Sequence, residues 1–218
     1  MKKILVIAAT MLASLSFSVM QAATPVSDVE GLKAKMQASA EKITSIQSDF
    51  TQEKYVSVMA STMKSSGKFY YQKTDKVKLE YTVPFKQDLV MNGTKLMMKA
   101  NGGKPMIMDA ASNPMMAELK KVISACMSGN IANIGDNYKM TYFVDGSNYL
   151  IEIVPQSADI KKFAEKVDLY LDSSDFTVVR MRMIEAKKPN QSKNDYTDYT
   201  FTNKKKNAAI AESVFAIK

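Results

Sequence analysis

The chain has 218 residues, 30 Lys and Arg against 22 Asp and Glu, one Cys, 17 Met, and no His or Trp. Without His there is no Ser-His-Asp or Cys-His nucleophile pair and no imidazole metal site, and a lone Cys makes neither an internal disulfide nor a zinc site by itself. Hydrophobic residues at 46% with 24% charged residues mark a globular chain, and the length suits one domain.

Lys2 and Lys3 precede an apolar run from Ile4 to Val19, closed by the small residues Ala22 and Ala23. This pattern predicts a secretory signal peptide over residues 1–23 and a single domain over 24–218. Removing residues 1–23 lowers the formal charge from +8 to +6. No Cys lies near the expected cleavage point, and no second apolar run is long enough to span a bilayer. An exported, soluble product is therefore expected, in a periplasmic setting. Its basic charge is nearly all Lys; the only arginines are Arg180 and Arg182. Export and scarce Arg argue against a nucleic-acid partner.

The period of residues 27–46 predicts an amphipathic helix, with Val29, Leu32, Met36, Ile43 and Ile46 on one face and Ser27 and Glu30 as a capping box. The period then changes from 3.6 to 2. Strands are predicted over Phe50 to Val58, Gly67 to Lys73, and Val77 to Tyr81 before Pro84. Gln87 to Met91 and Thr94 to Lys99 flank Asn92-Gly93, the strongest hairpin signal in the chain. Met106 to Asp109 is a short apolar stretch. A second helix follows, capped by Asn113, opened by Pro114 and ended by Gly129, with Met116, Leu119, Val122, Ile123, Cys126 and Met127 as its stripe. Strands resume at Lys139 to Val144, Tyr149 to Val154, Val167 to Asp172, Phe176 to Glu185 and Asp195 to Thr202, ahead of the basic Lys204 to Lys206.

About ten strands joined by hairpins are too many for a flat sheet. The expected class is α+β, mainly β: a strongly curved antiparallel sheet forming an unclosed barrel. The N-terminal helix and the inserted helix cover its concave side. Alternation places Phe69, Tyr71 and Lys73 on one face, then Val77, Leu79 and Tyr81, then Leu96 and Met98. These faces are either plain core or the wall of a cavity. Met is concentrated between Met91 and Met116, and Met-rich surfaces accept varied apolar partners. Lys73 either latches a helix over a cavity or snorkels to the rim. No carboxylate pair, phosphate-binding glycine loop or nucleophile elbow stands out, so no catalytic residue is assigned. Cys126 reads as a small core residue.

Ile46-Gln47-Ser48-Asp49-Phe50-Thr51-Gln52, Gly67 to Lys73, Val77-Lys78-Leu79-Glu80-Tyr81 with Pro84, and Val90-Met91-Asn92-Gly93-Thr94-Lys95-Leu96 occur in that order. Together with Asn207 and Phe215 they resemble the periplasmic outer-membrane lipoprotein carrier (LolA) family. The resemblance implies an unclosed barrel with a helical lid and a non-enzymatic chaperone without a cofactor. Its cargo is the acyl chains of lipoproteins, taken from an ATP-driven inner-membrane complex and passed to an outer-membrane receptor by a monomer. It also implies a cavity lined by Phe69, Tyr71, Val77, Leu79, Tyr81, Leu96, Met98, Met106, Met108, Met116 and Leu119, with Lys73 as lid latch. Thr74 stands where the family has Pro, and Lys73 lacks the fork of an Arg. A carrier of other lipids on the same fold is the alternative. An exported carboxylate hydrolase and an outer-membrane barrel fit the residues less well.

Overall fold

The computed structural model describes residues 22–73, 75–112, 114–129, 131, 134–189 and 191–218; the side chains of residues 114–116 and 119 are outside this set. Residues 1–21 of the expected signal peptide, the expected Asn113 cap and Thr74 therefore lie outside the described residues. Strands β1 (Thr24–Pro25) and β2 (Ser45–Val56) flank helix α1 (Val29–Lys42). β3 (Ser61–Gln72), β4 (Lys76–Val83), β5 (Gln87–Asn92), β6 (Lys95–Ala100) and β7 (Met106–Asp109) form the first meander. Helix α2 (Pro114–Ser128) leads to β8 (Tyr138–Asp145) and β9 (Asn148–Pro155). The short α3 (Ala158–Lys161), which the sequence did not signal, precedes β10 (Ala164–Asp172), β11 (Val178–Glu185) and β12 (Tyr196–Lys206).

All twelve strands join one antiparallel sheet in the order β1-β8-β9-β10-β11-β12-β2-β3-β4-β5-β6-β7. The sheet does not close, so β1 and β7 are edges. Several strands run longer than their apolar alternation alone suggested, whereas β11 starts two residues later, at Val178. β3 extends back to Ser61 and β12 forward to Lys206, because polar residues at the ends still pair with neighbours. The Asn92-Gly93 turn forms as expected, with Gly93 at φ 58°. Gly67 is required by packing: a Cβ there would lie 1.9 Å from the Glu80 carbonyl of β4.

Helix α1 is shorter than its periodicity suggested. Its N-cap is Asp28, whose carboxylate accepts from the Gly31 backbone N–H at 2.8 Å, and not Ser27. Ile43 is already extended, at φ −92° and ψ 116°, so Ile43 and Ile46 enter the core from the strand side of the junction. The Ile43-Thr44-Ser45-Ile46 run disfavours helix and favours strand. In α2, Val122, Ala125, Cys126 and Met127 are buried, and Gly129 ends the helix at φ 73°.

The core sits on the concave side. Leu32 and Met36 of α1, and Val122, Ala125, Cys126 and Met127 of α2, join Phe50, Phe69, Tyr71, Val77, Met91 and the inward residues of β8 to β12 in one cluster. A smaller cluster lies on the opposite face. There Val90 and Met97, which alternation points away from Met91 and Leu96, are buried with Phe215 and packed by Tyr70, Ile210, Val214 and Ile217. The C-terminal segment after Asn207 therefore straps the convex side. Asn92 Nδ2 donates to the Phe215 carbonyl at 3.1 Å, and Lys76 pairs with Glu212 at 2.5 Å.

The β10–β11 turn ties α1 to the sheet. Ser39 Oγ donates to the Asp175 carbonyl at 2.7 Å. The Asp175 carboxylate accepts from Lys206 Nζ at 2.8 Å and from Thr177 N at 2.9 Å. Burial alone would raise this carboxyl, but the bonds from Lys206 and Thr177 outweigh it and hold it down at about 2. Two predictions follow from these contacts. Phe215→Ala, which empties a fully buried site, should cost about 3–5 kcal/mol in a urea unfolding experiment. The Asp175 contribution, present above the unfolded carboxylate pKa of about 3.9, should be lost as pH falls from about 4 to 2. Urea midpoints across that range should drop less in Asp175→Asn than in wild type.

Candidate functional site

The concave wall of β3 to β7 gathers most of the sequence-selected residues. Phe69, Tyr71 and Val77 are buried in the main core, and Leu79, Tyr81 and Leu96 pack against it while only partly buried. Cross-strand registry puts Phe69 opposite Leu79 and Tyr71 opposite Val77. Leu96 lies opposite both Met91 and Met108, and Met98 opposite both Leu89 and Met106. Met98 and Met108 are half-buried, whereas Met106 is 52% exposed at the rim. Met116 and Leu119 stand on α2, and their side chains lie outside the described residues. The Met-rich stretch is thus divided between roles. Met91 fills the concave core, Met97 fills the convex cluster, and Met98 and Met108 keep part of their surface on the concave wall.

Aromatic rings fill the middle of the sheet. Phe50 meets Tyr81 edge-on at 5.0 Å, Phe69 meets Phe201 at 5.0 Å, and Tyr199 stacks on Phe201 at 6.3 Å. The Tyr81 and Tyr199 hydroxyls share a hydrogen bond at 3.0 Å, which satisfies two polar tips inside an apolar space. Burial pushes both phenols above the usual tyrosine value, Tyr199 strongly. Cys126 is fully buried and its thiol is pushed up to about 12 by that burial, so it is unreactive.

Polar contacts at both helices hold them over this wall. Lys73 is exposed, and its Nζ donates to the Glu41 carbonyl at 3.2 Å, in the last turn of α1. Next to it, Asn207 Oδ1 accepts from Thr44 N at 2.8 Å and Asn207 Nδ2 donates to the Lys42 carbonyl at 3.1 Å. These bonds satisfy backbone groups that the end of a helix leaves open. On the other helix, Lys120 pairs with Asp75 of the β3–β4 turn at 2.5 Å. A groove of about 470 Å³ runs beside that pair, between α2 and the Thr94 turn, lined also by Ala110, Ala117, Ser124 and Ala125. Met91, Leu96 and Ile123 line its narrow inner extension. Its size lies within the range of small-molecule sites. Lys120 and Asp75 were not foreseen. Asp75 sits in a turn, and Lys120 lies on the polar side of the stripe, where a charge usually signals only solvent.

The profile of the family described as "outer membrane lipoprotein carrier protein LolA" matches residues 41–218. A sequence search of curated proteins finds no match. Among solved structures, a LolA superfamily protein from Nitrosomonas europaea aligns with a TM-score of 0.42 and 10% identity, covering 85% of this chain and 97% of that one. The lipoprotein LppX of Mycobacterium tuberculosis gives a TM-score of 0.42 and 10% identity over 84% of this chain and 98% of that one. A MucA/MucB complex structure from Pseudomonas aeruginosa gives 0.46 and 13% identity, with 85% of this chain and 60% of that one covered. With 178 consecutive residues inside the family profile, the chain belongs to the outer membrane lipoprotein carrier protein LolA family.

Proposed function

We propose that this protein is a periplasmic chaperone that holds the acyl chains of lipoproteins against its concave wall and carries them from the inner to the outer membrane. The observation that carries the reading is the wall itself. It is an apolar surface whose cover, α1 and α2, is tied down by polar bonds such as Lys73 to the last turn of α1 and Asp75 to Lys120 midway along α2. Residues 1–23 would serve as the export signal. An ATP-driven inner-membrane complex would load the protein and an outer-membrane receptor would unload it.

The energetics suit reversible carriage. Each methylene moved from water to an apolar surface gains about 0.8 kcal/mol. Full retention of that gain would trap the cargo. Here the chains would displace Leu32, Met36, Val122 and Met127, which share one apolar cluster with Leu79, Tyr81 and Leu96. The binding energy is then a difference between two apolar contacts, and release stays within reach. No step requires a catalytic residue or a cofactor.

A fluorescent fatty-acyl probe should bind the protein and be displaced by a triacylated lipoprotein, and Leu96→Glu should weaken probe binding while the protein stays folded by circular dichroism. Binding of neither ligand would sink the carrier role, and displacement only by other lipids in the mature protein would redirect it to a different cargo. Lys73→Ala removes a bond worth about 1 kcal/mol from the closed arrangement. Probe affinity should therefore rise, about fivefold, because the open form becomes more populated. Unchanged affinity would remove Lys73 from the latch.

A further inference from the structure

The sheet has two unlike ends. At one, the β5–β6 turn and the α1–β2 junction lie beneath the helices. At the other, three loops stand side by side: Ser57–Ala60 between β2 and β3, Pro84–Lys86 between β4 and β5, and Asn101–Pro105 between β6 and β7. Strands β2 to β7 are neighbours in the sheet, and strands lie about 4.8 Å apart, so the three loops are spaced about 10 Å from one another along a single rim.

Two of the three loops are apolar at their tips, and the third ends on the exposed apolar strand β7. Phe85 is 80% exposed, Val58 79%, Met59 61% and Val83 55%, and Met106 and Ile107 stand about half exposed beside them. Most of the large exposed apolar side chains among the described residues are gathered here. Isolated exposed apolar residues are ordinary, but a contiguous group marks a contact surface. The same segments are basic. Residues 53–64, 83–88 and 99–107 hold Lys54, Lys64, Lys86, Lys99 and Lys104 against Glu53 and Asp88. Among the described residues, no carboxylate lies within 4 Å of Lys86, Lys99 or Lys104.

We infer that this rim docks on an anionic phospholipid surface, with Phe85, Met59 and Val58 entering the acyl boundary and the lysines meeting headgroup phosphates. Apolar tips beside Lys86, Lys99 and Lys104, which have no ion pair among the described residues, match the two components of interfacial binding: buried apolar area and attraction to negative lipid. Lys54 and Lys64 are already paired with Glu185 and Glu53. A soluble protein partner would supply matching charge but would not require bulky apolar side chains at two separate loop tips beside a basic third loop. Docking by this end points the rim of the concave wall at the bilayer and leaves α1 and α2 facing water, free to move.

The test uses the protein purified as cells process it, so that wild type and variants share one N-terminus. Wild type should co-sediment with vesicles containing phosphatidylglycerol and far less with pure phosphatidylcholine. Met59→Asp with Phe85→Asp should lower vesicle binding at least about tenfold. Acyl-probe binding in solution should persist in that variant, since neither residue lies on the concave wall proposed for cargo. Lys86→Glu with Lys104→Glu should abolish the preference for anionic vesicles. A second readout does not depend on how the charged variants fold. The chain has no Trp, so Phe85→Trp creates a single reporter whose emission should shift to the blue on adding anionic vesicles. Absence of vesicle binding by wild type, equal binding by the Asp variant, or no Trp shift would each overturn the inference. So would a dimer that forms through Phe85 without any vesicle binding, which would make a second copy the occupant.

Discussion

A curved sheet of this width has to keep its concave side dry. Phe50, Phe69, Tyr71 and Val77 point into that side, and their own neighbours across the sheet fill only its middle. The remaining cover comes from Leu32 and Met36 on α1 and from Val122, Ala125, Cys126 and Met127 on α2. Hydrophobic contact is non-directional, so nothing in the wall distinguishes a helix side chain from an acyl chain of similar volume. Among the described residues, the directional bonds to the cover include those of Lys73 and Asn207 at the end of α1, of Ser39 with the β10–β11 turn, and of Lys120 with Asp75 beside α2. They fix where the cover sits without adding much energy, because exposed bonds and ion pairs contribute little net stability.

The convex strap makes the other half of this arrangement possible. A wall whose cover can leave needs support that does not depend on the cover. The β5–β6 hairpin, which carries Met91 and Leu96 inward, is held from behind by Phe215 on Val90 and Met97. Asn92 and Glu212 bond the strap to both the hairpin and its neighbours. The rim loops at the far end are tied to the sheet by backbone bonds such as Ser57 N to the Asp195 carboxylate at 2.8 Å, while their apolar tips lie outside both buried clusters. Their exposed Phe85 and Val58 are consistent with a role outside the fold itself.

Much of the sheet was legible in the sequence, because period-2 alternation and the Asn92-Gly93 and Asp145-Gly146 turns are local signals. The inserted helix was legible through Pro114 and Gly129 for the same reason. The N-terminal helix was overextended, since Ile43 and Ile46 keep an apolar rhythm across a junction where β-branched residues have already changed the backbone. The concave residues were found by alternation, but alternation cannot say what covers a face. Only the fold shows that Phe215 covers Val90 and Met97 on the convex side. Composition located the Met excess but did not divide it between Met91 in the core and Met106 at the rim. Asn207, Asp75 and Lys120 act through backbone carbonyls or a turn brought close by topology, and no spacing encodes that.

On the proposed function, α1 and the acyl cargo compete for one wall. Nitroxide labels at Lys35→Cys on α1 and Lys95→Cys on the β5–β6 hairpin would report the distance between cover and wall. The buried Cys126, with its thiol pushed up to about 12, would stay unlabelled. Adding a triacylated lipopeptide should move the distance distribution to longer values as α1 leaves the wall. An unchanged distribution with the lipopeptide demonstrably bound would contradict the account.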